Sequence, residues 1–187
     1  MSLVAFEFQD TRLRGRRIPG FVDFPELNLR TYVRQGDHRG VTYIREYVGS
    51  KVVAAIARLR FNEPYRMLDI SSSTVGAGDA IGIEHRWRIG GTDQSLCVVG
   101  SQESVVPRED GHGFTDHRQG FGVNRKGGVV GYRIEHPTWA LREIRSLEYV
   151  IDFEALFGPA WAFLNDTSPV QNTLAVGSAV QMFTPGR

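Results

Sequence analysis

The chain has 187 residues, and its 41% hydrophobic and 23% charged residues exclude a disordered or fibrous protein. A net charge of +1 gives no strong field for nucleic acid or an anionic membrane, and no apolar run is long enough for a transmembrane helix. The single Cys97 cannot form an internal disulfide, so we expect a reducing, cytoplasmic setting. Without a Pro/Gly/Ser-rich linker, the sequence predicts one domain over residues 1–187.

Alternation of apolar and polar residues is the main pattern, and it predicts many short strands. The predicted strands lie, in chain order, at 4–8, 26–33, 41–48, 81–88, 95–99, 129–135 and 176–183. The glycine-rich stretch 76–79 lies between alternating segments and lacks the following helix of a dinucleotide fingerprint, so it predicts a hairpin turn.

Helical signals are fewer. Ser50 is a suitable N-cap for the segment 51–61, and Pro64 is expected to end that helix. A second helix is expected at 152–158, with Asp152 as the cap, whereas 139–149 fits either a helix or a strand. Many strands and few helices predict a mainly antiparallel sheet, curled into a barrel.

The segment 26–33 places four polar side chains on one face of a strand, namely Glu26, Asn28, Arg30 and Tyr32. Such a row fits a solvated outer face. It equally fits a polar barrel lumen, where charges pair and amides orient a ligand. The segment alone does not decide between the two. Arg58, on the following helix, has the same two interpretations, a solvated residue favoured by the helix dipole or a ligand contact.

Four runs in the chain resemble the DUF2071, or YqjF-like, family. They are FPELNLRTYVRQGDHRGVTYIREYV, AIARLRFNEPYRM, EHPTWAL and GSAVQMF, and the resemblance extends from about residue 3 to residue 183. The family is similar to acetoacetate decarboxylase, which implies a closed antiparallel β-barrel or cone with a central polar pocket. Relatives have extra elements before the segment that MSLVAFEF resembles, so we expect this chain to lack N-terminal elements of the family.

The resemblance also assigns residues. Glu26 matches a pocket glutamate of the decarboxylase, and Arg58 keeps the family's six-residue spacing to Pro64. Two consecutive lysines that follow the proline in the enzyme are replaced here by Tyr65 and Arg66. A phenol cannot form an imine and a guanidinium does not substitute for an amine, so the Schiff-base mechanism does not carry over.

A stretch ending at His117 resembles a family segment that would place Asp116 or His117 near the pocket. His112 and His117 are five residues apart without an evident third ligand, so we expect no metal. The basic cluster of Arg12, Arg14, Arg16 and Arg17 lacks interleaved aromatic residues and predicts a solvated turn rather than a nucleic-acid site.

The leading hypothesis is therefore a pocket protein for a small anionic or carbonyl-bearing molecule, with no cofactor, nucleic acid or membrane partner. Catalysis would use Glu26 as the general base and Tyr65 as the hydrogen-bond donor. The residues expected to bind the ligand are Asn28, Arg30, Tyr32, Arg58, Arg66 and His117.

The alternative hypothesis is a non-catalytic binding or assembly module, in which the polar row is a structural network. A third option is a Schiff base on Lys51 or Lys126, the only lysines, both expected to be exposed. The aromatic segment 153–163 could supply a homo-oligomer interface or close the barrel end.

Overall fold

A computed structural model describes residues 1–13, 15–62, 64–106 and 117–183. The strands are β1 (Ser2–Phe8), β2 (Phe24–Gln35), β3 (His38–Val48), β4 (Tyr65–Met67), β5 (Asp69–Val75), β6 (Ala80–Ile89), β7 (Thr92–Ser101), β8 (Gln119–Val123), β9 (Val129–Glu135), β10 (Leu141–Arg142), β11 (Ile144–Val150), β12 (Leu174–Ala175) and β13 (Gln181–Phe183). The helices are α1 (Lys51–Phe61), α2 (Phe153–Phe157) and a 3₁₀ helix (Pro159–Asp166).

The chain forms two compact units. The first comprises Met1–Ile70, His117–His136 and Val180–Arg187, and the second comprises Ser71–Asp116 and Pro137–Ala179. The expectation of one domain over residues 1–187 stays a prediction.

A seven-stranded sheet dominates the first unit. Its strand order is β1-β2-β3-β8-β9-β13, and β4 pairs with β3 outside this path. The long β2–β3 hairpin runs from the pair Glu26–Val48 to the pair Gln35–His38, with an irregularity at Leu29/Arg30. Neighbouring strands are antiparallel except for the parallel β3–β4 and β3–β8 contacts.

Helix α1 follows this hairpin and covers part of the core. Ser50 caps it by accepting a hydrogen bond from the Val53 amide at 3.3 Å. The helix ends at Phe61, because Asn62 adopts a left-handed conformation with φ 55°, so the prediction that Pro64 ends it is corrected by two residues. Burial of Val53 against Phe24 and Val48 places the helix on the start of β2 and the end of β3.

The second unit contains a four-stranded sheet of order β11-β7-β6-β5 and the short pair β10-β12. The ambiguous segment 139–149 is therefore strand rather than helix. Helix α2 is capped as predicted by Asp152, whose side chain accepts from the Ala155 amide at 3.0 Å. The strand predicted at 176–183 is wrong as one element, because β12 ends at Ala175 and β13 begins at Gln181.

The predicted mainly antiparallel β class is confirmed. Within the described residues, the three sheets are open paths of strands rather than one hydrogen-bonded ring. The described part of the chain contains no helix that is both long and apolar enough to cross a membrane.

Candidate active site

The first unit buries a carboxylate, an amide and a phenol in one hydrogen-bonded cluster. Glu26 is 2% exposed and Asn28 is 1% exposed, so the interpretation as a solvated outer face is wrong for these two residues. The Tyr65 hydroxyl donates to Glu26 Oε2 at 2.9 Å, and Asn28 Nδ2 donates to Glu26 Oε1 at 2.9 Å. Both oxygens of the buried carboxylate are therefore held by neutral donors.

Strand register explains why these residues meet. Asn28 on β2 lies opposite Glu46 on β3, and Glu46 in turn lies opposite Tyr65 on β4. Paired residues on neighbouring strands point to the same face of a sheet, and Glu26 shares that face because it lies two residues from Asn28. The parallel pairing of β4 with β3, directly after helix α1, therefore places Tyr65 on the same sheet face as Glu26 and Asn28.

Glu46 is a member of this cluster that the sequence analysis did not identify. It is 2% exposed and directly opposite both Asn28 and Tyr65. Burial and the negative charges of Glu26 and Glu46 raise the pKa of Tyr65 well above its usual range. The phenol consequently keeps its proton at neutral pH and acts as a donor.

Asn28 adds an acceptor that is not satisfied. Its Nδ2 group faces Glu26, and its Oδ1 atom is buried without a hydrogen-bond partner among the described residues. A buried amide oxygen without a partner is unfavourable by about 1–3 kcal/mol, and a ligand or water that donates a hydrogen bond would remove that cost.

The polar row continues along β2 beyond this cluster. The Tyr32 ring lies 4.8 Å from the His117 ring, centroid to centroid, and the Tyr32 hydroxyl is hydrogen-bonded to Ser2. Arg30 lies between Asn28 and Tyr32 on the same strand face, and its Nε atom is buried. The structure therefore brings Arg30, Tyr32 and His117 to the face that carries Glu26.

Other predicted site residues are not brought to this cluster. Arg58 is exposed on α1, and Arg66 is exposed and points away from Tyr65, because adjacent residues on a strand alternate between faces. Lys51 and Lys126 are exposed, as predicted. Asp116 and His112 lie outside the described residues, as do Arg14 and Glu63.

No group of three or more His, Cys, Asp or Glu side chains in the described ranges is arranged to hold a metal ion. The cluster combines two buried carboxyl groups, one phenol that donates a hydrogen bond, and one amide oxygen that has room to accept one.

Comparison with known proteins gives a family and a fold. The DUF2071 family model, described as an uncharacterized conserved protein, matches residues 1–178. No curated protein sequence matches the chain.

Three solved structures share the fold at low identity. The enduracididine biosynthesis enzyme MppR has a TM-score of 0.57 with HEPES buffer bound, at 12% identity over 90% of this chain and 65% of that chain. The same enzyme complexed with pyruvate has a TM-score of 0.58, at 12% identity over 90% of this chain and 67% of that chain. Acetoacetate decarboxylase from Legionella pneumophila has a TM-score of 0.54, at 13% identity over 98% of this chain and 81% of that chain. This chain thus spans about two thirds of the length of MppR, and the acetoacetate-decarboxylase-like fold is confirmed.

Proposed function

The chain belongs to the DUF2071 family, and on that premise we propose that it binds a small carbonyl-bearing organic molecule and moves a proton on it. The observation that carries the proposal is the buried cluster of Glu26, Asn28 and Tyr65, joined by two hydrogen bonds of 2.9 Å. A buried carboxylate beside a protonated phenol places a proton acceptor next to a hydrogen-bond donor, which is what proton transfer on a carbonyl compound requires. The ligand would lie on the polar face of β2 and β3, against Arg30, Tyr32 and His117.

The proposed chemistry is proton abstraction next to a carbonyl group. The Glu26 carboxylate accepts the proton from the carbon beside the carbonyl, and the C–H electron pair moves through the new C=C bond to the carbonyl oxygen as an enolate. In the ground state the Tyr65 hydroxyl donates to Glu26 Oε2; once Glu26 has taken up the proton and become neutral, the same O–H turns to the enolate oxygen and stabilises its negative charge. A carboxylate group on the ligand, where it has one, would pair with Arg30.

This chemistry does not need a Schiff base. Tyr65 stands where the similar decarboxylases have a lysine, and Lys51 and Lys126 are exposed at other places. The complex of MppR with pyruvate supports a carbonyl compound as the ligand class to test. At 12% identity that complex suggests probes and assigns no substrate to this chain.

A thermal-shift screen against ketones, keto acids, lactones and small carboxylates tests the binding step. A ligand at about 100 times its Kd adds roughly 2.7 kcal/mol, which at this chain length raises Tm by roughly 5–10 °C. We expect a carbonyl compound to raise the Tm of the wild type and to have little effect on Glu26→Gln and Tyr65→Phe. Glu7→Gln, an exposed glutamate on β1, is the matched control and should respond like the wild type.

One observation favours a second function, a non-catalytic module in which the cluster is structural. Both carboxylate oxygens of Glu26 already have donors within the protein. On that account Tyr65→Phe would lower Tm by leaving Glu26 Oε2 without its donor, and no carbonyl compound would stabilise the wild type. Equal ligand-induced shifts in the wild type, Glu26→Gln and Tyr65→Phe would also contradict the first proposal.

A further inference from the structure

The seven-stranded sheet carries a concave, largely open cavity of about 360 Å³. It lies across β3, β8, β9 and β13, and the side chains that shape it are those of His38, Gln119, Phe121, Arg133 and Phe183. Its volume is within the range of small-molecule pockets.

Strand register places this cavity on the face opposite to the polar row. Glu26 and Tyr32 share one face of β2, Tyr32 lies opposite Val41, and Val41 lies opposite Gly120 on β8. The neighbour of Gly120, Phe121, therefore points to the other face. The cavity and the Glu26 cluster are separate sites on one sheet.

Two glycines, Gly40 and Gly131, lie next to the Phe121 ring that lines the cavity. A Cβ atom at Gly40 would lie 2.7 Å from the Phe121 ring and 2.5 Å from the Gln119 carbonyl oxygen, so only glycine lets the ring lie flat across β3. A Cβ at Gly131 would meet the same ring at 3.6 Å, which is an ordinary contact. A side chain at position 131 would therefore pack beside the Phe121 ring and take up part of the cavity.

The walls combine aromatic carbon with hydrogen-bond donors. The Arg133 guanidinium lies 5.1 Å from the centroid of the Phe183 ring and pairs with Glu135 at 2.8 Å through one nitrogen. A guanidinium has five N–H groups, so Arg133 keeps donors for a second anion. Beside Arg133, at the paired position on β8, Gln119 Nε2 lies 3.5 Å from His38 Nδ1, which adds amide and imidazole groups to the same side of the rim.

We propose that this cavity binds a small aromatic carboxylate. The aromatic ring would stack between Phe121 and Phe183 over Gly131, and the carboxylate would pair with Arg133 at the rim. The aromatic ring would pack against the apolar side chains of Phe121 and Phe183. Its carboxylate would face the side of the cavity that carries Arg133 and His38. The inference does not depend on the function proposed for Glu26.

Fluorine NMR with 4-fluorobenzoate tests the proposal, with neutral 4-fluorobenzyl alcohol as the comparison ligand. The wild type should broaden the benzoate signal in a saturable way and affect the alcohol at least tenfold more weakly. Arg133→Gln should weaken benzoate binding about tenfold, and Gly131→Val should weaken it by a similar factor or more by narrowing the cavity beside Phe121. Glu7→Gln should bind benzoate like the wild type, since this exposed residue lies on β1, three strands away from β8.

Several results would overturn the proposal. These are no saturable broadening by the wild type, equal affinity for the acid and the alcohol, or unchanged binding in both Arg133→Gln and Gly131→Val. Far-UV circular dichroism establishes that each variant is folded. Arg133→Gln changes an exposed side chain and keeps the test valid if Gly131→Val does not fold.

Discussion

A buried histidine in the second unit makes the stability of this protein sensitive to mild acid. His85 is 1% exposed, and its Nδ1 atom is hydrogen-bonded to Ser72 Oγ at 2.8 Å. Its Nε2 atom is buried and has no hydrogen-bond partner among the described residues. Burial lowers the pKa of His85 from 6.5 to about 4, because the charged imidazolium would lose its hydration there.

The size of the effect follows from linkage between protonation and folding. The unfolded chain takes up a proton at His85 near pH 6.5, whereas the folded chain resists protonation until about pH 4. Full stability is therefore present above pH 6.5 and is lost progressively as the pH falls to about 4. Each pKa unit corresponds to 1.36 kcal/mol, so the interval from 6.5 to about 4 corresponds to about 3 kcal/mol, of which about 2 kcal/mol is lost by pH 5.

Urea unfolding of the wild type and of His85→Gln, measured from pH 7.5 to pH 4, isolates this contribution. Glutamine has no charge to gain, so its unfolding free energy should fall by about 3 kcal/mol less than that of the wild type over the interval. Asp79 and Asp93 have pKa values lowered by arginine partners, and because both proteins contain them their effect cancels in the difference between the two curves. Parallel curves for the two proteins between pH 6.5 and pH 4 would refute the reasoning.

Two further predictions concern the first unit. In urea unfolding, Gly40→Ala should lower the free energy of unfolding by about 1–3 kcal/mol, because the new Cβ atom would lie 2.5 Å from the Gln119 carbonyl oxygen. Gly131→Ala should change the free energy of unfolding by less than about 1 kcal/mol, because its Cβ atom would make only ordinary contacts. Equal effects at the two positions would contradict the packing described. Absorbance titration at 295 nm should show a phenol that ionises well above the usual pH range, because burial and then the charges of Glu26 and Glu46 raise the pKa of Tyr65, and this step should be absent in Tyr65→Phe. A wild type in which every tyrosine ionises at its ordinary pKa would contradict the environment described for Tyr65.

Local patterns predicted much of the fold. Alternation identified β2, and the cap residues Ser50 and Asp152 identified the starts of both α-helices, because each signal depends on a few neighbouring residues. The segment 139–149 stayed ambiguous because its Ile/Leu spacing fits both the period of a helix and the period of a strand. Only pairing of β11 with β7, which lies about 50 residues away in sequence, decides for a strand.

The candidate site was predictable in part. Glu26, Asn28 and Tyr65 were identified from alternation and from the family pattern, and the structure brings them together. Glu46 was not, because its place opposite Asn28 and Tyr65 depends on how β3 pairs with β2 and β4, which the pattern of β3 alone does not show. Helical spacing likewise could not show that Arg58 lies on the exposed side of α1, since that depends on which residues pack against the sheet.

Deuterium exchange tests the proposed proton transfer most directly. The wild type, Glu26→Gln and Tyr65→Phe would be incubated in D₂O with the ketone or keto acid that gives the largest thermal shift. Loss of the proton signal beside the carbonyl would be followed by NMR. The account predicts exchange above the buffer rate with the wild type, and a reduction of at least about a hundredfold in Glu26→Gln, the range of general-base contributions. Exchange at the buffer rate with the wild type, or at the wild-type rate in Glu26→Gln, would contradict it.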